Sequence, residues 1–317
     1  MLTLSIIIPT YNRRDQLEKC LKSVLISDDN DIEVIISDNA SADNTIEFFN
    51  KIQDKRVLVL QNERNIGADR NLKKLVLSAH GEYVFIITDD SFLSETSITD
   101  LKKIIAEHPG VGVIISCLAY VSINSGKIVG YRSNHPTPAY YKPGNEGLIE
   151  YALELRSWPR LVVKRSLVVE RELELHIDCI YQSMYWIGKM IKEAGVFYTN
   201  KVLVTAFGDN INYWKYPSDF GLSGSLKIID DLFPLESELK DKRALQKKLF
   251  KEDTDGILSI GKINALKTLL CLKEVRYNRY FLPQFIIWIP KFVFRKLKRV
   301  LFNTGSKRIS WSEENIK

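Results

Sequence analysis

The first 90 residues alternate between short apolar segments and longer segments with helical spacing. The apolar segments are residues 4–8, 32–36, 57–60 and 83–87. Their nearly continuous apolar character is typical of strands that are buried on both faces. Between them, apolar residues such as Leu17, Leu21 and Val24 recur at the period of a helix. This alternation predicts an α/β fold with a parallel sheet, helices on both faces and right-handed crossovers, so that all four strands point the same way.

Polar residues follow each of the four predicted strands. They are residues 9–13, 37–44, 62–71 and 89–90. Because an open parallel sheet binds ligands beyond the carboxyl ends of its strands, we expect these segments to meet at one edge. Each segment alone also fits an ordinary turn, a helix cap or a solvated loop. Their recurrence at four successive strand ends favours one shared binding site.

Asp89 and Asp90 indicate what this site binds. Two adjacent carboxylates repel each other unless a cation or hydrogen-bond donors face them. Mg²⁺ and similar cations commonly bridge one or two carboxylates to the phosphates of a ligand. The alternative is a helix N-terminus, whose dipole also stabilises carboxylates. Together with the other strand ends, the pair predicts a nucleoside diphosphate across the sheet edge with a divalent cation on its phosphates.

The rest of the chain is predicted to complete this domain and to add a helical region. Further strands are predicted at residues 111–115, 118–123, 127–131, 160–163 and 196–207, helices at 98–105, 146–155 and 180–194, and a proline-rich loop at 133–147. Asn124, Ser125 and Gly126 are typical of a hairpin turn between two of these strands. We therefore assign residues 1–222 to one domain, with the predicted nucleotide site in its first half, 1–92, and a second half at 93–222. Residues 223–317 form a mainly helical, basic region.

The cysteines and histidines argue against a disulfide framework and against a zinc site. The four cysteines are far apart and form no CxxC pair, and the four histidines are scattered. No signal peptide is recognisable, and no apolar run approaches the roughly 20 residues of a spanning helix. We expect a protein of the reducing cytoplasm.

Four segments within residues 2–92 resemble three motifs of family 2 glycosyltransferases with the GT-A fold. Residues 4–12 are similar to the opening of that family, and residues 35–43 resemble its second motif. Residues 65–71 and 79–83 resemble the third. Within the family, the chain is most similar to abequosyltransferase-like enzymes of bacterial surface-polysaccharide assembly. The resemblance implies a single Rossmann-like, mostly parallel sheet with helices on both faces, followed by a mainly helical C-terminal region.

The resemblance also implies roles at the donor site. Asp38 and Arg70 would contact the nucleobase. The other implied nucleotide-sugar contacts are Pro9, Tyr11, Asn12, Asn39 and Asp89. Asp90 matches the last aspartate of the DxD motif and would be the ligand of Mg²⁺ or Mn²⁺. Thr88 stands where the family usually has the first aspartate, so Asp89 is either a substitute ligand or a bystander.

On the acceptor side, inverting transfer needs a carboxylate that takes the proton of the attacking hydroxyl group. In the family this base lies in the second half, just before a helix, and Asp178 occupies that position. Asp178 fits equally well as the N-cap of the predicted helix. Glu174 and Asp209 are the alternatives for the base. Residues 157–160, which include Trp158, fit either a wall of the acceptor site or the buried core.

We therefore expect a glycosyltransferase that moves a sugar from a nucleotide-diphosphate sugar to a hydroxyl group of a glycan or lipid-linked oligosaccharide. One alternative is a nucleotidyltransferase, which would normally carry a loop rich in glycine and basic residues after its first strand. Another is a non-catalytic, membrane-peripheral scaffold that retains a nucleotide site, which the departure at Thr88 leaves open.

The segment 281–302 mixes apolar and basic residues, and no acidic residue occurs from Leu282 to Arg308. Such a composition favours the interface of an anionic membrane, although Pro290 interrupts a continuous helix. The alternative is a helix packed on the main domain with a basic outer face. The expected location is the cytoplasm, at the inner face of the bacterial plasma membrane, and nucleic acid is not an expected partner.

Overall fold

The computed structural model describes residues 2–122, 124–132, 136–177, 179, 181–207 and 222–259. The chain divides into two compact units, residues 1–254 and 255–317. The first unit contains every strand and helix described below, except that the last helix extends to residue 259. In the part of the chain that is described, no helix combines the length and the apolar character needed to cross a bilayer. The predicted interfacial segment 281–302 lies outside the described residues.

The described residues form ten strands and nine α-helices. The strands are β1 (Leu4–Thr10), β2 (Ile32–Asp38), β3 (Val57–Gln61), β4 (Tyr83–Ile86), β5 (Ser91–Phe92), β6 (Val113–Val121), β7 (Ile128–Arg132), β8 (Ala139–Tyr141), β9 (Leu161–Lys164) and β10 (Val196–Phe207). The helices are α1 (Arg14–Leu25), α2 (Thr45–Phe49), α3 (Ala68–Ser78), α4 (Ser97–Glu107), α5 (Asn145–Tyr151), α6 (Glu170–Glu174), α7 (Ser183–Ala194), α8 (Leu222–Leu232) and α9 (Leu239–Ser259).

The strands form one mixed sheet with the order β3-β2-β1-β4-β9-β6-β10-β5. β3, β2, β1 and β4 are parallel, as predicted from the sequence. β9 lies antiparallel between β4 and β6, and β10 is parallel to β6. The carboxyl ends of the first four strands therefore share one edge. The amino end of β9 lies at the same edge, because Leu161 pairs with Ile86.

The second half of the sheet confirms one prediction and corrects another. β6 and β7 pair antiparallel around the predicted hairpin turn. The segment 133–147 is not entirely a loop, because β8 within it pairs antiparallel with Val196–Tyr198 of β10. β8 has only three residues and lies between Pro138 and Pro143, so no local periodicity indicates a strand. β8 therefore forms only through its pairing with β10, which is distant in the sequence.

Successive side chains of the strands fill a core on each face of the sheet. On one face, residues such as Ile7, Ile35 and Val84 pack with α3, α5, α7 and α8. On the other face, residues such as Ile6 and Val34 pack with α1 and α4. Each large apolar side chain buried in this way contributes roughly 1.5–3 kcal/mol. The sheet is therefore a firm base for the loops at its edge.

The turn that leads into β4 is fixed by Gly81 and Ser5. The N–H of Gly81 donates a hydrogen bond of 2.7 Å to Ser5 Oγ. A Cβ atom at position 81 would lie 2.5 Å from the backbone nitrogen of Ser5, so only glycine permits this approach. The contact sets the position of β4, which leads to Asp89 and Asp90.

Candidate active site

The carboxyl ends of β1, β2, β3 and β4 bring together the polar segments that the sequence indicated. Thr10 is in register with Asp38, and Asp38 is in register with Gln61. After β4, the N–H of Ile87 donates to the carbonyl oxygen of Ile7 at 3.2 Å. The residues that follow Ile87 therefore begin beside the end of β1.

Asp89 is buried under this edge, and both of its carboxylate oxygens accept hydrogen bonds. Thr10 Oγ1 donates to Asp89 Oδ2 at 2.9 Å. Arg13 Nη1 donates to Asp89 Oδ1 at 3.0 Å. Burial raises the pKa of Asp89 to about 6, and the charge of Arg13 opposes this rise while that of Asp90 adds to it. Asp89 is thus a buried anchor for the Arg13 side chain.

Asp90 is the more exposed carboxylate of the pair. Its side chain is 37% exposed, compared with 6% for Asp89. Arg13 Nη1 donates to Asp90 Oδ2 at 3.2 Å, and Thr88 Oγ1 donates to Asp90 Oδ1 at 2.6 Å. Where the resemblance led us to expect a carboxylate, Thr88 supplies a hydroxyl group that orients Asp90.

The corner formed by Arg13, Asp89 and Asp90 fits a divalent cation whose ligands are mostly water and the phosphates of a substrate. Within the described residues, no three histidine, cysteine, aspartate or glutamate side chains are grouped to hold a metal ion. Mg²⁺, however, usually keeps several waters and binds through one or two carboxylates plus substrate phosphates. Asp90, with Asp89 behind it, meets that requirement. Asp90 is the residue that would hold the cation.

Asp38 is buried at the end of β2 and is held by the turn that follows it. The N–H of Ser41 lies 3.2 Å from each of the two carboxylate oxygens, and the Ser41 hydroxyl group also donates to Asp38. Between them, Ala40 has a left-handed backbone with φ of 65°. The Asp38 carboxylate is therefore fixed in orientation.

Asn39 joins three loops at this edge. Its N–H donates to the carbonyl oxygen of Thr10 at 3.0 Å. Its side-chain oxygen accepts from Asn62 Nδ2 (3.1 Å) and from the N–H of Ile66 (3.0 Å). Its side-chain nitrogen donates to Asn65 Oδ1 at 2.8 Å. Asn39 thereby links the loops that follow β1, β2 and β3.

The other implied donor contacts differ in exposure. Tyr11 is 45% exposed, Pro9 is half-buried, and Arg70 is exposed on the first turn of α3. Asn12 is also exposed, but its side-chain oxygen accepts from the N–H of Ala42 at 2.8 Å. Tyr11 and Arg70 therefore present their side chains at the surface, whereas Asn12 braces the turn after β2.

On the acceptor side, Asp178 and Asp209 lie outside the described residues. The third candidate base, Glu174, is exposed and forms an ion pair with Lys73 of α3. Just before Asp178, His176 Nε2 lies 2.9 Å from Asp231 Oδ2 of α8, and burial lowers the pKa of His176. The segment that precedes Asp178 is thus in contact with α8.

Two residues of the segment 157–160 contribute to the core, which is one of the two interpretations that the sequence allowed. Trp158 is partly buried and packs against the core. Arg160 is completely buried, with φ of 82°, and its Nη1 donates to the carbonyl oxygen of Ser116 at 3.0 Å. It also forms an ion pair with Glu154. Arg160 is therefore a core residue.

Sequence reasoning missed Arg13 and Thr10 at this site. Both lie inside the polar segment 9–13, where Thr10 is the last residue of β1, and an arginine so close to a strand end was the available signal. Their partners are 76 to 79 residues away in the sequence, and only the sheet order brings them together. The sequence therefore shows an arginine close to the strand end, but it does not show which carboxylates this arginine contacts.

The comparison with protein families adds an independent line of evidence. The model of Glycosyl transferase family 2 matches residues 5–157. The abequosyltransferase RfbV of Salmonella typhimurium is 36% identical over 104 residues, which cover 31% of this chain and 31% of that protein. The chain spans about a third of the length of the curated relatives that it matches.

Solved structures share the fold. Residues 1–349 of TarS from S. aureus, in complex with UDP-GlcNAc, match with a TM-score of 0.62 and 16% identity over 84% of this chain and 80% of that chain. The mannosyltransferase PcManGT from Pyrobaculum calidifontis, in complex with GDP-Man and Mn²⁺, matches with a TM-score of 0.52 and 14% identity over 95% and 88% of the two chains. The predicted GT-A fold is confirmed, and the match of residues 5–157 to the Glycosyl transferase family 2 model agrees with the resemblance seen in the sequence.

Proposed function

We propose that the protein is a glycosyltransferase of bacterial surface-polysaccharide biosynthesis. It moves a sugar from a nucleotide-diphosphate sugar to a hydroxyl group of a glycan or lipid-linked oligosaccharide. The observation that carries the proposal is the partly exposed Asp90 at the carboxyl edge of the sheet, the edge that also carries the buried Asp38 and Asn39, within the region that matches the family 2 model. The similarity to an abequosyltransferase and to a structure that holds UDP-GlcNAc supports it.

The nucleotide lies over the ends of β1, β2 and β3. Asp38 contacts the base and is already oriented by Ser41. Tyr11, with Pro9 and Asn12, lines the pocket, and its exposed ring offers a face for stacking. Arg70 approaches from α3, where its planar guanidinium group can donate to base or phosphate oxygens. Asn39 supports the base of this pocket, because its side chain links the loop after β2 to the loop after β3.

The diphosphate lies at the end of β4. A divalent cation bound there would offset the charge that develops on the leaving diphosphate. Asp90 would hold this cation, and Thr88 keeps the Asp90 carboxylate in orientation. Asp89 stays behind it and keeps Arg13 at the edge of the site.

Asp178 is the proposed catalytic base. It takes the proton of the acceptor hydroxyl group as the oxygen forms its bond to the anomeric carbon and the bond to the diphosphate breaks, with inversion. The role rests on the place of Asp178 in the sequence and on the resemblance to the family. His176, two residues before Asp178 in the sequence, contacts Asp231 of α8.

The basic and apolar segment 281–302 is proposed to contact the membrane that carries a lipid-linked acceptor. Cosedimentation of the full chain with vesicles that contain anionic lipid tests this. Replacing Lys296, Lys298 and Arg299 by glutamine is expected to weaken the binding. Equal binding of the variant and the natural chain would remove the electrostatic part of the proposal.

Calorimetry with UDP, CDP, GDP and dTDP, with and without Mn²⁺, tests the proposed function as a whole. One nucleotide is expected to bind more tightly than the others when Mn²⁺ is present, and the matching nucleotide-sugar is then assayed for transfer and hydrolysis. Absence of binding by all four would favour a scaffold. Formation of a nucleotide-sugar from a nucleoside triphosphate and a sugar phosphate would favour a nucleotidyltransferase.

A further inference from the structure

Arg13 bridges both carboxylates of the Asp89 and Asp90 pair through a single nitrogen atom. Its Nη1 lies 3.0 Å from Asp89 Oδ1 and 3.2 Å from Asp90 Oδ2. The backbone of Arg13 is fixed, because its carbonyl oxygen accepts a 2.9 Å hydrogen bond from the N–H of Leu17 in α1. The side chain is 35% exposed, so it can leave the pair without unfolding the helix.

The two contacts of Arg13 differ in their surroundings. The Asp89 side chain is almost closed to solvent at 6% exposure, and its other oxygen accepts from Thr10. The Asp90 side chain is 37% exposed. A cation that enters from solvent therefore meets Asp90 first, and it meets Asp90 Oδ2 with a guanidinium group already beside it.

A guanidinium group and a divalent cation repel each other at this distance. Each carboxylate oxygen has two lone pairs, so the hydrogen bond alone does not prevent metal coordination. The positive charge of Arg13 does oppose it, because charges a few ångströms apart at a partly buried site interact strongly. A cation that binds Asp90 must therefore either displace the guanidinium group of Arg13 from Asp90 or bind more weakly because of the repulsion from that group.

We propose that Arg13 competes with the divalent cation for Asp90 and so keeps the metal affinity of the nucleotide-free protein low. This inference rests on the proposed function, since it takes Asp90 as the metal ligand. When Arg13 leaves Asp90, it can remain paired with Asp89, which lies deeper. Arg13 then stays at the corner as a second positive charge beside the cation.

The test is the affinity for Mn²⁺ alone, measured from the loss of the free Mn²⁺ signal in electron paramagnetic resonance. Arg13→Gln is expected to bind Mn²⁺ roughly tenfold more tightly than the natural protein, because the competing charge is gone. Arg13→Lys keeps the charge and is expected to stay within about threefold of the natural protein. Circular dichroism checks that each variant is folded.

Arg14→Gln is the matched control. Arg14 is the next residue, with the same exposure, but it pairs with Asp15 at 2.7 Å and Glu18 at 3.1 Å on the surface of α1. Its replacement is expected to leave the Mn²⁺ affinity unchanged.

Three results would overturn the inference. Equal or weaker Mn²⁺ binding by Arg13→Gln would show that Arg13 does not compete, and the proposed function would stand. An equal gain in Arg13→Lys would show that charge is not the cause. If none of the proteins binds Mn²⁺, with or without a nucleotide, the metal part of the proposed function fails and the inference fails with it.

Discussion

Two arginines lie near the end of β4, and they differ in exposure and in the charge around them. Arg13 is partly exposed and faces two carboxylates, Asp89 and Asp90. Arg160 is fully buried and shares the single carboxylate of Glu154 with Arg132. In the first group, which we call the open corner, two anions face one cation, and such a site suits an incoming metal ion. In the second group, which we call the closed corner, two cations face one anion, and such a site suits a structural role. The closed corner is joined to β4, because the N–H of Arg160 donates to the carbonyl oxygen of Ile86 at 3.1 Å.

Asp90→Asn removes one of the two negative charges of the open corner, and we expect it to have the largest effect on activity. The kcat/KM of sugar transfer should fall about 10³-fold, on the scale of removing one preorganised group that stabilises transition-state charge. The free energy of unfolding should change by less than about 0.5 kcal/mol, because Asp90 is partly exposed. Transfer assays with the donor found by calorimetry and urea unfolding measure the two quantities.

Asp100→Asn is the control for this substitution. Asp100 lies in α4 and pairs with Lys201 of β10 at 2.6 Å. Its kcat/KM should equal that of the natural protein. Full activity of Asp90→Asn would remove Asp90 from the mechanism.

Arg160→Met removes the buried cation of the closed corner and should lower the free energy of unfolding. Removing Arg160 leaves the Glu154 carboxylate with the longer 3.6 Å contact to Arg132 and takes the donor away from the carbonyl oxygen of Ser116, which together should cost about 3 kcal/mol. Urea denaturation should show this loss. Lys201→Met, which breaks a pair on the surface, should cost less than about 1 kcal/mol. Equal losses in the two variants would contradict the distinction between the closed corner and the surface.

Asn71→Ala tests the structural support of the sheet edge at the ends of β2 and β3. Asn71 is buried in α3 and accepts hydrogen bonds from Ser37 Oγ (2.7 Å) and Asn62 Nδ2 (2.8 Å). Its side chain also donates to the carbonyl oxygen of Ser37 at 2.9 Å. Leaving these groups without their partner should cost about 2 kcal/mol in urea unfolding. Asn50→Ala, at an exposed position, should cost less than about 0.5 kcal/mol.

The open corner was more predictable from the sequence than the closed one. β1 to β4 show a local apolar pattern with polar residues directly after each strand, so the position of Asp38 and Asp90 at one edge followed from the rule for parallel sheets. The contacts of Arg13 did not follow, because they join residues 76 and 77 positions apart. A local pattern describes which residues share an edge, but it does not pair their side chains.

The closed corner depends on contacts that leave no periodic signal. β9 has four residues and is antiparallel to both of its neighbours, whereas the pattern of the first half favours parallel pairing. An arginine at position 160 is typical of a surface residue, and burial follows only once Glu154 and the carbonyl oxygen of Ser116 surround it. The sequence therefore left the core and the acceptor wall as alternatives for residues 157–160.

Ala40→Gly is the mildest test, and it concerns a strained backbone beside the open corner. Ala40 has φ of 65°, a left-handed conformation that costs a residue with a Cβ atom about 1–2 kcal/mol. Glycine removes this cost but loses more entropy on folding, so the net gain in stability should be about 0.5 kcal/mol. Thermal or urea unfolding measures it. Ala42→Gly, two residues later and without a left-handed backbone, should instead lose about 0.5 kcal/mol. A loss in both variants would show that the turn holding Asp38 is not strained, and that the fixed orientation of Asp38 costs the fold nothing.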